Sequence, residues 1–304
     1  MTQFLQQLVN GVVLGATYGL IALGYTMVYG IIQLINFAHG EVVMVGAFAA
    51  LATAVYVLPE TLATNAWVAL PVMLGAAALV AIVVAVLMER FAYRPLRNAP
   101  RLAPLITAIG VSIVLQEVVR LFYPGGNRQQ AFPRLITGTF HVADITVAWV
   151  SVFVVATAVA LMIALQVFVR RTSTGRAMRA TAQDPDTSKL MGIDTDKVIV
   201  ITFILGAALA GVAGVMQGMR FGQIDFRIGF LVGLKAFTAA VLGGIGNIGG
   251  AVLGGFILGI VEVMAVQYLP HGSSWKDAVA FVVLILVLVF RPTGLLGERV
   301  AARA

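Results

Sequence analysis

Long apolar runs alternate with short polar stretches along the whole chain. A helix needs about 20 apolar residues to cross a bilayer core about 30 Å thick, and most of the runs approach that length. The runs cover residues 8–31, 40–58, 66–88, 102–123, 145–169, 198–219, 229–242, 249–269 and 277–290. Because backbone groups in lipid must be bonded within their own segment, we expect helices and not strands. The pattern predicts an all-α polytopic membrane protein with about 8–9 transmembrane helices, including broken or re-entrant segments such as the short run 229–242.

The composition agrees with a membrane location. Hydrophobic residues make up 60% of the 304 residues and charged residues only 11%, with a mean hydropathy of +0.99. A soluble domain carries roughly 25% charged residues, so we expect lipid to cover the apolar surface. No linker interrupts the pattern, and we expect a single transmembrane domain over residues 1–304. The absence of cysteine excludes disulfides, a thiol nucleophile and cysteine metal ligands.

Basic residues fall in short loops, and their placement predicts the orientation. The three basic clusters are Arg90, Arg94, Arg97 and Arg101; Arg170, Arg171, Arg176, Arg179, Lys189 and Lys197; and Arg291, Arg299 and Arg303. Cytoplasmic loops are enriched in Lys and Arg, so the net charge of +7 indicates topology and not nucleic acid. We expect the C-terminus in the cytoplasm, and the N-terminus and the loops 59–65 and 124–144 outside. Residues 229–269 either cross twice or form a re-entrant hairpin.

No Lys or Arg precedes the first apolar run, and no cleavage site follows it, so we expect a retained span and not a signal peptide.

A polar break separates the first two runs. Its candidate pathway or gate residues are Asn36, Phe37, His39, Gly40 and Glu41. Polar side chains at a span boundary are costly unless they line a cavity or face water. One interpretation is a translocation pathway, and another is that Asn36 caps the second helix while His39 and Glu41 face water in its first turns; the two can both hold. The two-residue spacing of His39 and Glu41 disfavours a metal site.

A glycine-rich break and two acids are further candidates. Gly243, Gly244 and Gly246 interrupt a helix and expose backbone, which is tolerable only beside a cavity or another protein wall. This break echoes residues 36–40, as in transporters built from paired broken helices. Glu262 lies inside the apolar run 249–269, and its role is either in a translocation pathway, in proton coupling or in stabilising the structure. Glu117 has Arg120 as a partner three residues later, which favours a structural acid.

Charged residues also follow the sixth run. Arg220, Asp225, Arg227 and Lys235 fall on the side that we predict to be outside. They form either a surface for an acidic extracytoplasmic partner or a solvated loop.

The longest polar segment, 170–197, is predicted to be a cytoplasmic loop carrying a short helix pair. Gly175 can end the preceding helix, residues 176–183 favour helix, and Asp184 followed by Pro185 is typical of a helix start. The loop is either a docking element for a cytosolic partner or an ordinary solvated connection.

Four segments resemble the LivH-type permeases of branched-chain amino-acid ABC importers. They are residues 24–41 (GYTMVYGIIQLINFAHGE), 89–97 (ERFAYRPLR), 235–246 (KAFTAAVLGGIG) and 291–297 (RPTGLLG). The resemblance implies a second, LivM-type permease subunit, two cytosolic ATP-binding subunits and a periplasmic amino-acid-binding protein, all at a bacterial inner membrane. It also places the ATPase-coupling motif at Gly175, Arg176, Arg179, Ala180, Asp184, Gly192 and Ile193. Ser188-Lys189-Leu190 stands where other importers have an acid and two alanines, so the motif is a family variant.

The function that follows is uptake of leucine, isoleucine or valine by alternating access, driven by ATPases outside the chain. The sequence has no GxxxxGK[ST] loop, so we expect a transport subunit and not an enzyme, without cofactor or metal and with lipid as its surroundings. Two alternatives stay open. One is a urea or short-chain amide permease of the same family, although the match over residues 24–32 favours amino acids. The other is a proton-coupled secondary transporter using Glu117 or Glu262.

Overall fold

The computed structural model describes residues 2–97, 99–100, 102–142 and 144–297. Part of the basic clusters that predict the orientation lies outside the described residues, namely Arg101, Arg299 and Arg303, and so does the C-terminus. The helices are α1 Thr2–Ile32, α2 His39–Ala52, α3 Glu60–Ala63, α4 Ala66–Met88, α5 Leu102–Phe122, α6 Trp149–Arg171, α7 Ser173–Gln183, α8 Pro185–Leu190, α9 Thr195–Phe221, α10 Ile228–Gly243, α11 Ile248–Tyr268 and α12 Gly272–Phe290. A π-helical turn extends α2 over Thr53–Val57, and another extends α4 over Glu89–Tyr93.

Eight helices in the described part of the chain are long and apolar enough to cross a membrane. The prediction of an all-α polytopic membrane protein is therefore confirmed. The ninth apolar helix, α10, has 16 residues and is about 24 Å long, less than the thickness of a bilayer core.

Short strands occur only in the connections among the described residues. The strands are β1 Gln130–Ala131, β2 Thr139–Val142, β3 Ile145–Ala148 and β4 Gln223–Ile224. β2 and β3 form an antiparallel hairpin, and β1 pairs with β4. The predicted start of the fifth span at residue 145 was wrong, because residues 145–148 pair in the hairpin before α6 begins.

Helix α1 lies at the centre of the bundle and is buried over most of its length. It packs antiparallel to α11, with Gly11 against Ile260 and Gly15 against Phe256. A Cβ atom at Gly259 would overlap the backbone of Gly15. Small residues that let helix backbones touch are the usual means of packing in lipid, where apolar burial gives little driving force.

The outer helices α4, α5, α6 and α12 expose large apolar side chains, among them Leu79, Ile113, Ile163 and Val289. In water this surface would be unfavourable, so it faces lipid or another membrane subunit.

The two ends of the bundle differ in charge. We call the end with residues 89–97, 172–194 and 291–297 the basic end, and the end with residues 2–7 and 123–148 the opposite end. The turn between α10 and α11 lies at the basic end, because Leu295 and Leu296 donate backbone hydrogen bonds to Leu242 and Gly243.

At the opposite end, Gln7 donates to Gln267 near the end of α11. Helix α11 therefore runs from one end of the bundle to the other, whereas α10 is a shortened helix. The chain thus passes from the opposite end to the basic end and back, as the two-crossing alternative for residues 229–269 predicts, although α10 alone is shorter than a full span.

Candidate functional site

The polar break after α1 returns into the bundle before α2 begins. Glu41, in the first turn of α2, is 0% exposed. Its Oε1 accepts hydrogen bonds from Ser112 Oγ at 3.1 Å and Gln116 Nε2 at 2.8 Å, both near the middle of α5. Its Oε2 has no hydrogen-bond partner among the described residues. Helix α2 thus starts half-way through the bundle, and Glu41 lies well inside it.

The interpretation in which Asn36 caps α2 and His39 and Glu41 face water is wrong. The residue before α2 is Ala38, which makes no side-chain cap, and both His39 and Glu41 are buried. Asn36 Oδ1 instead accepts a hydrogen bond from Tyr93 Oη at 2.6 Å. The error arose because the segment 33–38 re-enters the protein, which a local capping pattern does not reveal.

An aromatic cluster surrounds the start of α2. The His39 ring lies edge-on to Tyr25 with centroids 4.8 Å apart, and Phe37 lies 5.6 Å from Phe237. A Cβ atom at Gly24 would overlap the His39 imidazole. The glycine in the signature segment is therefore required for the imidazole to lie against α1.

The start of α10 meets the start of α2. Gly40 packs backbone to backbone against Gly229 and Gly233, and Glu41 also contacts Gly229. Each helix follows a six-residue non-helical segment, 33–38 or 222–227. We call this contact the α2–α10 junction. Paired interrupted helices that meet near the membrane midplane are typical of transporter substrate pathways.

The predicted echo between residues 36–40 and 243–250 stays a prediction. The two breaks do not meet, because the junction joins residue 40 to α10 and not to residues 243–250. Gly243 packs against Gly250, and Gly244 packs against the chain after α12. Gly246 has φ +96°, and a Cβ there would meet no atom of the described residues within 4 Å. The three glycines form a helix-to-helix turn at the basic end.

A cavity of about 480 Å³ opens beside the junction. It is lined by Phe37, Ile109, Ser112, Ile113, Gln116, Phe230 and Leu234. Of the predicted pathway residues, Phe37 lines this cavity and Glu41 lies behind it, bonded to two of the lining side chains. Gly243, Gly244, Gly246 and Glu262 are not part of it.

Glu262 belongs to a separate buried ion cluster, formed by Tyr18, Lys235, Glu262 and Asp277. Lys235 Nζ lies 2.7 Å from Glu262 Oε1 and 2.6 Å from Asp277 Oδ1. Tyr18 Oη donates to Glu262 Oε2 at 2.9 Å. Lys235 is buried and is not part of an exposed charged loop, so its grouping with Arg220, Asp225 and Arg227 as a surface was wrong.

The sequence analysis missed Tyr18 and Asp277. A buried lysine requires anionic partners, and this requirement was the available signal, but only the fold identifies them. By contrast, the expected pair of Glu117 with Arg120 is confirmed at 2.7 Å.

The loop at the basic end forms the short helices α7 and α8. Thr172 caps α7 by accepting a hydrogen bond from Gly175 N at 2.9 Å. The preceding helix therefore ends at Arg171, and Gly175 lies inside the first turn of α7, contrary to the prediction that Gly175 ends it. A Cβ at Gly175 would overlap the Val169 carbonyl, to which Arg179 also donates.

The predicted start of α8 is confirmed. Asp184 accepts hydrogen bonds from the backbone of Asp186 and Thr187, both at 3.1 Å. Gly192, at φ +82°, ends the helix, and Ile193 N donates back to Ser188 O. A glycine in this left-handed position is the common way to end a helix.

The tip of the loop carries a surface that the sequence analysis did not single out. Leu190 is 87% exposed and Met191 is 78% exposed. Arg176 is exposed, whereas Ala180 is half-buried. The Lys197 backbone N–H and ammonium hold the pKa of the Asp194 carboxyl below its usual range. An apolar pair on a charged, solvent-facing loop is typical of a protein contact.

A chain of contacts connects this loop with the polar break. Asp196, at the start of α9, binds Arg94 at 2.8 Å and Arg97 at 2.5 Å. Arg97 also binds the buried carboxylate of Glu89, one helical turn before Tyr93. Because Tyr93 donates to Asn36, the loop and the start of α2 are joined through side chains of α4's extension.

Comparison with known proteins gives a consistent result. A family model described as "Branched-chain amino acid transport system / permease component" matches residues 7–288. The high-affinity branched-chain amino acid transport system permease protein BraD of Pseudomonas aeruginosa is 46% identical over 97% of this chain and 96% of its own length. The corresponding proteins named LivH in Escherichia coli K12 and Salmonella typhimurium are 48% identical over the same shares.

Proposed function

The chain belongs to the family of branched-chain amino acid transport system permease components. From this membership we propose that it is the membrane-spanning subunit of an ATP-driven importer. Its function is then to move leucine, isoleucine and valine across the bacterial inner membrane. The observation that carries the proposal is the similarity over nearly the whole chain to high-affinity branched-chain amino acid transport system permease proteins. An eight-span bundle with an exposed loop at its basic end supports it.

The α2–α10 junction and its cavity are the proposed pathway. Helix N-termini carry partial positive charge, so the starts of α2 and α10 suit the carboxylate of an amino acid. The cavity walls at Phe37, Ile113 and Phe230 suit a branched aliphatic side chain. Because this cavity is exposed on one side, a second, LivM-type permease subunit is the proposed other wall.

The loop 170–197 is the proposed docking element for two cytosolic ATP-binding subunits. Leu190 and Met191 supply apolar contact area, and Arg176 supplies charge. Gly175, Arg179, Ala180, Asp184, Gly192 and Ile193 keep the helix pair in shape. Movement of the loop would reach α2 through Asp196, Arg97 and Tyr93.

This assignment orients the molecule. The basic end lies in the cytoplasm with the C-terminus, and the N-terminus lies outside, where a periplasmic amino-acid-binding protein delivers substrate. The chain is a transport subunit, and the ATP is hydrolysed by its partners.

The test is leucine uptake into vesicles that contain this chain with its partner subunits, with ATP inside and the binding protein outside. We expect uptake that needs both, and that urea and short-chain amides do not compete for. Uptake driven by a pH gradient without ATP would overturn the proposal in favour of a proton-coupled transporter. Competition by amides would instead favour the amide permease.

The loop variant Arg176→Glu separates coupling from pathway. We expect it to abolish uptake while the complex stays assembled in the membrane. Arg90→Glu serves as the charge-matched control, because Arg90 is an exposed basic residue at the same end of the bundle but outside the loop 170–197. Equal loss in both variants would show a general charge effect and contradict a specific contact at Arg176.

A further inference from the structure

A second cavity, of about 550 Å³, lies apart from the proposed pathway. It opens at the opposite end of the bundle, where Gln7 and Gln267 lie at its mouth. Its lining includes three members of the buried ion cluster that face it from α10, α11 and α12: Lys235, Glu262 and Asp277. Charged groups at this depth are costly, so they mark a functional site unless packing alone explains them.

The ion cluster is not charge-neutral by itself. Lys235 supplies one positive charge, whereas Glu262 and Asp277 supply two negative charges. Both oxygens of Glu262 are occupied, one by Lys235 and the other by Tyr18. Asp277 is the most exposed member, with 37% of its side chain exposed. Its carboxylate is therefore open to a cationic group of a ligand in the cavity, while the second positive charge of the region comes from Arg220, which interacts electrostatically with Glu262.

The wall of the same cavity carries an arginine whose guanidinium has no direct anionic partner among the described residues. Arg220 lines it, and no carboxylate lies within ion-pair distance of its guanidinium in the part of the chain that the structure describes. Its only hydrogen bond there is a long one of 3.4 Å from Nη2 to Asn10 O, and Nη1 has no partner. An anion that approaches Arg220 would satisfy this group.

Gln217 is a second, independent indication of a ligand. It is 5% exposed, it lines the cavity, and its Oε1 has no hydrogen-bond partner among the described residues. A buried amide oxygen without a donor costs free energy unless a ligand or water donates to it. An ammonium group would be such a donor.

The mouth and walls narrow the class of ligand. The charged side chains that line the cavity are the positive Arg220, Arg227, Lys235 and Lys276 and the negative Asp225, Glu262 and Asp277. A ligand that carries both charges therefore meets groups of both signs. Leu14, Val263 and Val266 give it an apolar wall. A ligand with one ammonium, one carboxylate and an apolar side chain matches all of these features.

We propose that this cavity is a binding site for a free aliphatic α-amino acid, with the ammonium at Asp277 and Gln217 and the carboxylate at Arg220. The proposal rests on the proposed function only for the identity of the amino acid. The site would receive substrate at the outer face before it reaches the α2–α10 junction.

The test is equilibrium binding of leucine to the assembled complex in lipid nanodiscs, without ATP and without the binding protein. Two further probes each lack one charge: leucinol has only the ammonium, and 4-methylpentanoate has only the carboxylate. We expect leucine to bind at least about tenfold more tightly than either, since each charge-assisted hydrogen bond is worth about that factor.

Two variants remove one half of the site at a time. Asp277→Asn should weaken the binding of leucine and leucinol about tenfold and leave the binding of 4-methylpentanoate unchanged. Arg220→Gln should weaken the binding of leucine and 4-methylpentanoate and leave the binding of leucinol unchanged. Glu117→Gln neutralises a half-exposed acid on α5 and should change nothing. If Asp277→Asn does not assemble, the Arg220→Gln pattern decides the question alone.

Absence of saturable leucine binding, or equal weakening of all three probes in both variants, would overturn the proposal. The same binding measurement in nanodiscs with and without ethanolamine lipid tests whether a lipid headgroup occupies the cavity. If leucine binds only when that lipid is absent, the headgroup is the occupant. This result would also overturn the proposal. Leucine binding without ATP-driven uptake would support this site and contradict the proposed importer function. ATP-driven uptake without this binding would support the importer function and overturn the proposed site.

Discussion

Two buried acids in this molecule have opposite surroundings. Glu262 lies in an ion cluster that ties together α1, α10, α11 and α12, and both of its oxygens are occupied. Glu41 lies at the α2–α10 junction, where it accepts hydrogen bonds only from the neutral side chains of Ser112 and Gln116. In the described part of the chain one of its oxygens has no partner.

The difference indicates different roles. An ion cluster that links four helices is costly to disturb, because removal of one charge strands the others in a medium of low dielectric. A carboxyl that makes two neutral hydrogen bonds can exchange partners at much lower cost. We therefore expect the ion cluster to fix the bundle and the junction to move. The predictions below test this contrast, in order of decreasing effect on stability.

The largest effect is expected from Lys235→Met. It leaves the buried Glu262 and the partly exposed Asp277 without Lys235, which should lower the free energy of unfolding by about 3–5 kcal/mol. Unfolding in detergent by SDS titration measures it. Lys276→Met, an exposed lysine on α12, is the control and should change stability by less than about 0.5 kcal/mol. Equal effects of the two substitutions would contradict a structural role for the cluster.

A smaller effect is expected from Gly40→Ala at the junction. The added Cβ would lie 2.8 Å from Gly233 Cα and would overlap the Gly229 carbonyl, neither of which can move without its helix. Overpacking of this kind costs about 1–3 kcal/mol, and uptake should fall with it. Gly75→Ala on α4 meets no atom within 4 Å and should be neutral or slightly stabilising. Normal uptake by Gly40→Ala would show that α2 and α10 can move apart at the junction without loss of transport.

Glu41→Gln should change stability by about 1 kcal/mol or less, since it breaks no ion pair and keeps an acceptor for Ser112 and Gln116. The same SDS titration applied to Glu262→Gln should show a loss of about 1.5–3 kcal/mol, because a hydrogen bond between charged partners is lost. A larger loss for Glu41→Gln than for Glu262→Gln would reverse the contrast between the two acids.

The smallest effect on stability is expected at the loop tip. Leu190→Ser removes an apolar side chain that makes little contact within the chain, so the unfolding free energy should stay within about 0.5 kcal/mol. ATP-driven leucine uptake should nevertheless fall strongly, because the proposed ATPase contact is weakened. Leu79→Ser on the outer surface of α4 is the control for a lost exposed leucine. Unchanged uptake in Leu190→Ser would contradict docking at this tip.

The helices were predictable because the apolar runs are long and the bilayer fixes the length that a span requires. The family was predictable because the four signature segments are long and occur in order. The helix cap at Asp184 was predictable because it depends only on neighbouring residues.

The burial of Asn36 and Glu41 could not be predicted, because their partners Tyr93, Ser112 and Gln116 lie far away in the sequence. The same holds for the pairing of Lys235 with Asp277. His39 is buried against α1, which depends on the return of the chain into the bundle. Local patterns identified the polar residues as costly, but the choice between water and a buried partner depends on how the helices pack.

The central claim is that the cavity at the α2–α10 junction is the pathway and opens to one side at a time. The chain has no native cysteine, so a single Ile113→Cys on the cavity wall can be labelled without background. Its rate of reaction with a membrane-impermeant thiol reagent should be measured from each side of reconstituted vesicles, with and without ATP. Leu79→Cys, exposed at a similar position along α4, is the control. We predict that the introduced thiol reacts from only one side of the membrane in each state, and that ATP changes which side this is. A reaction rate that does not depend on ATP and equals the rate of the control would contradict the account.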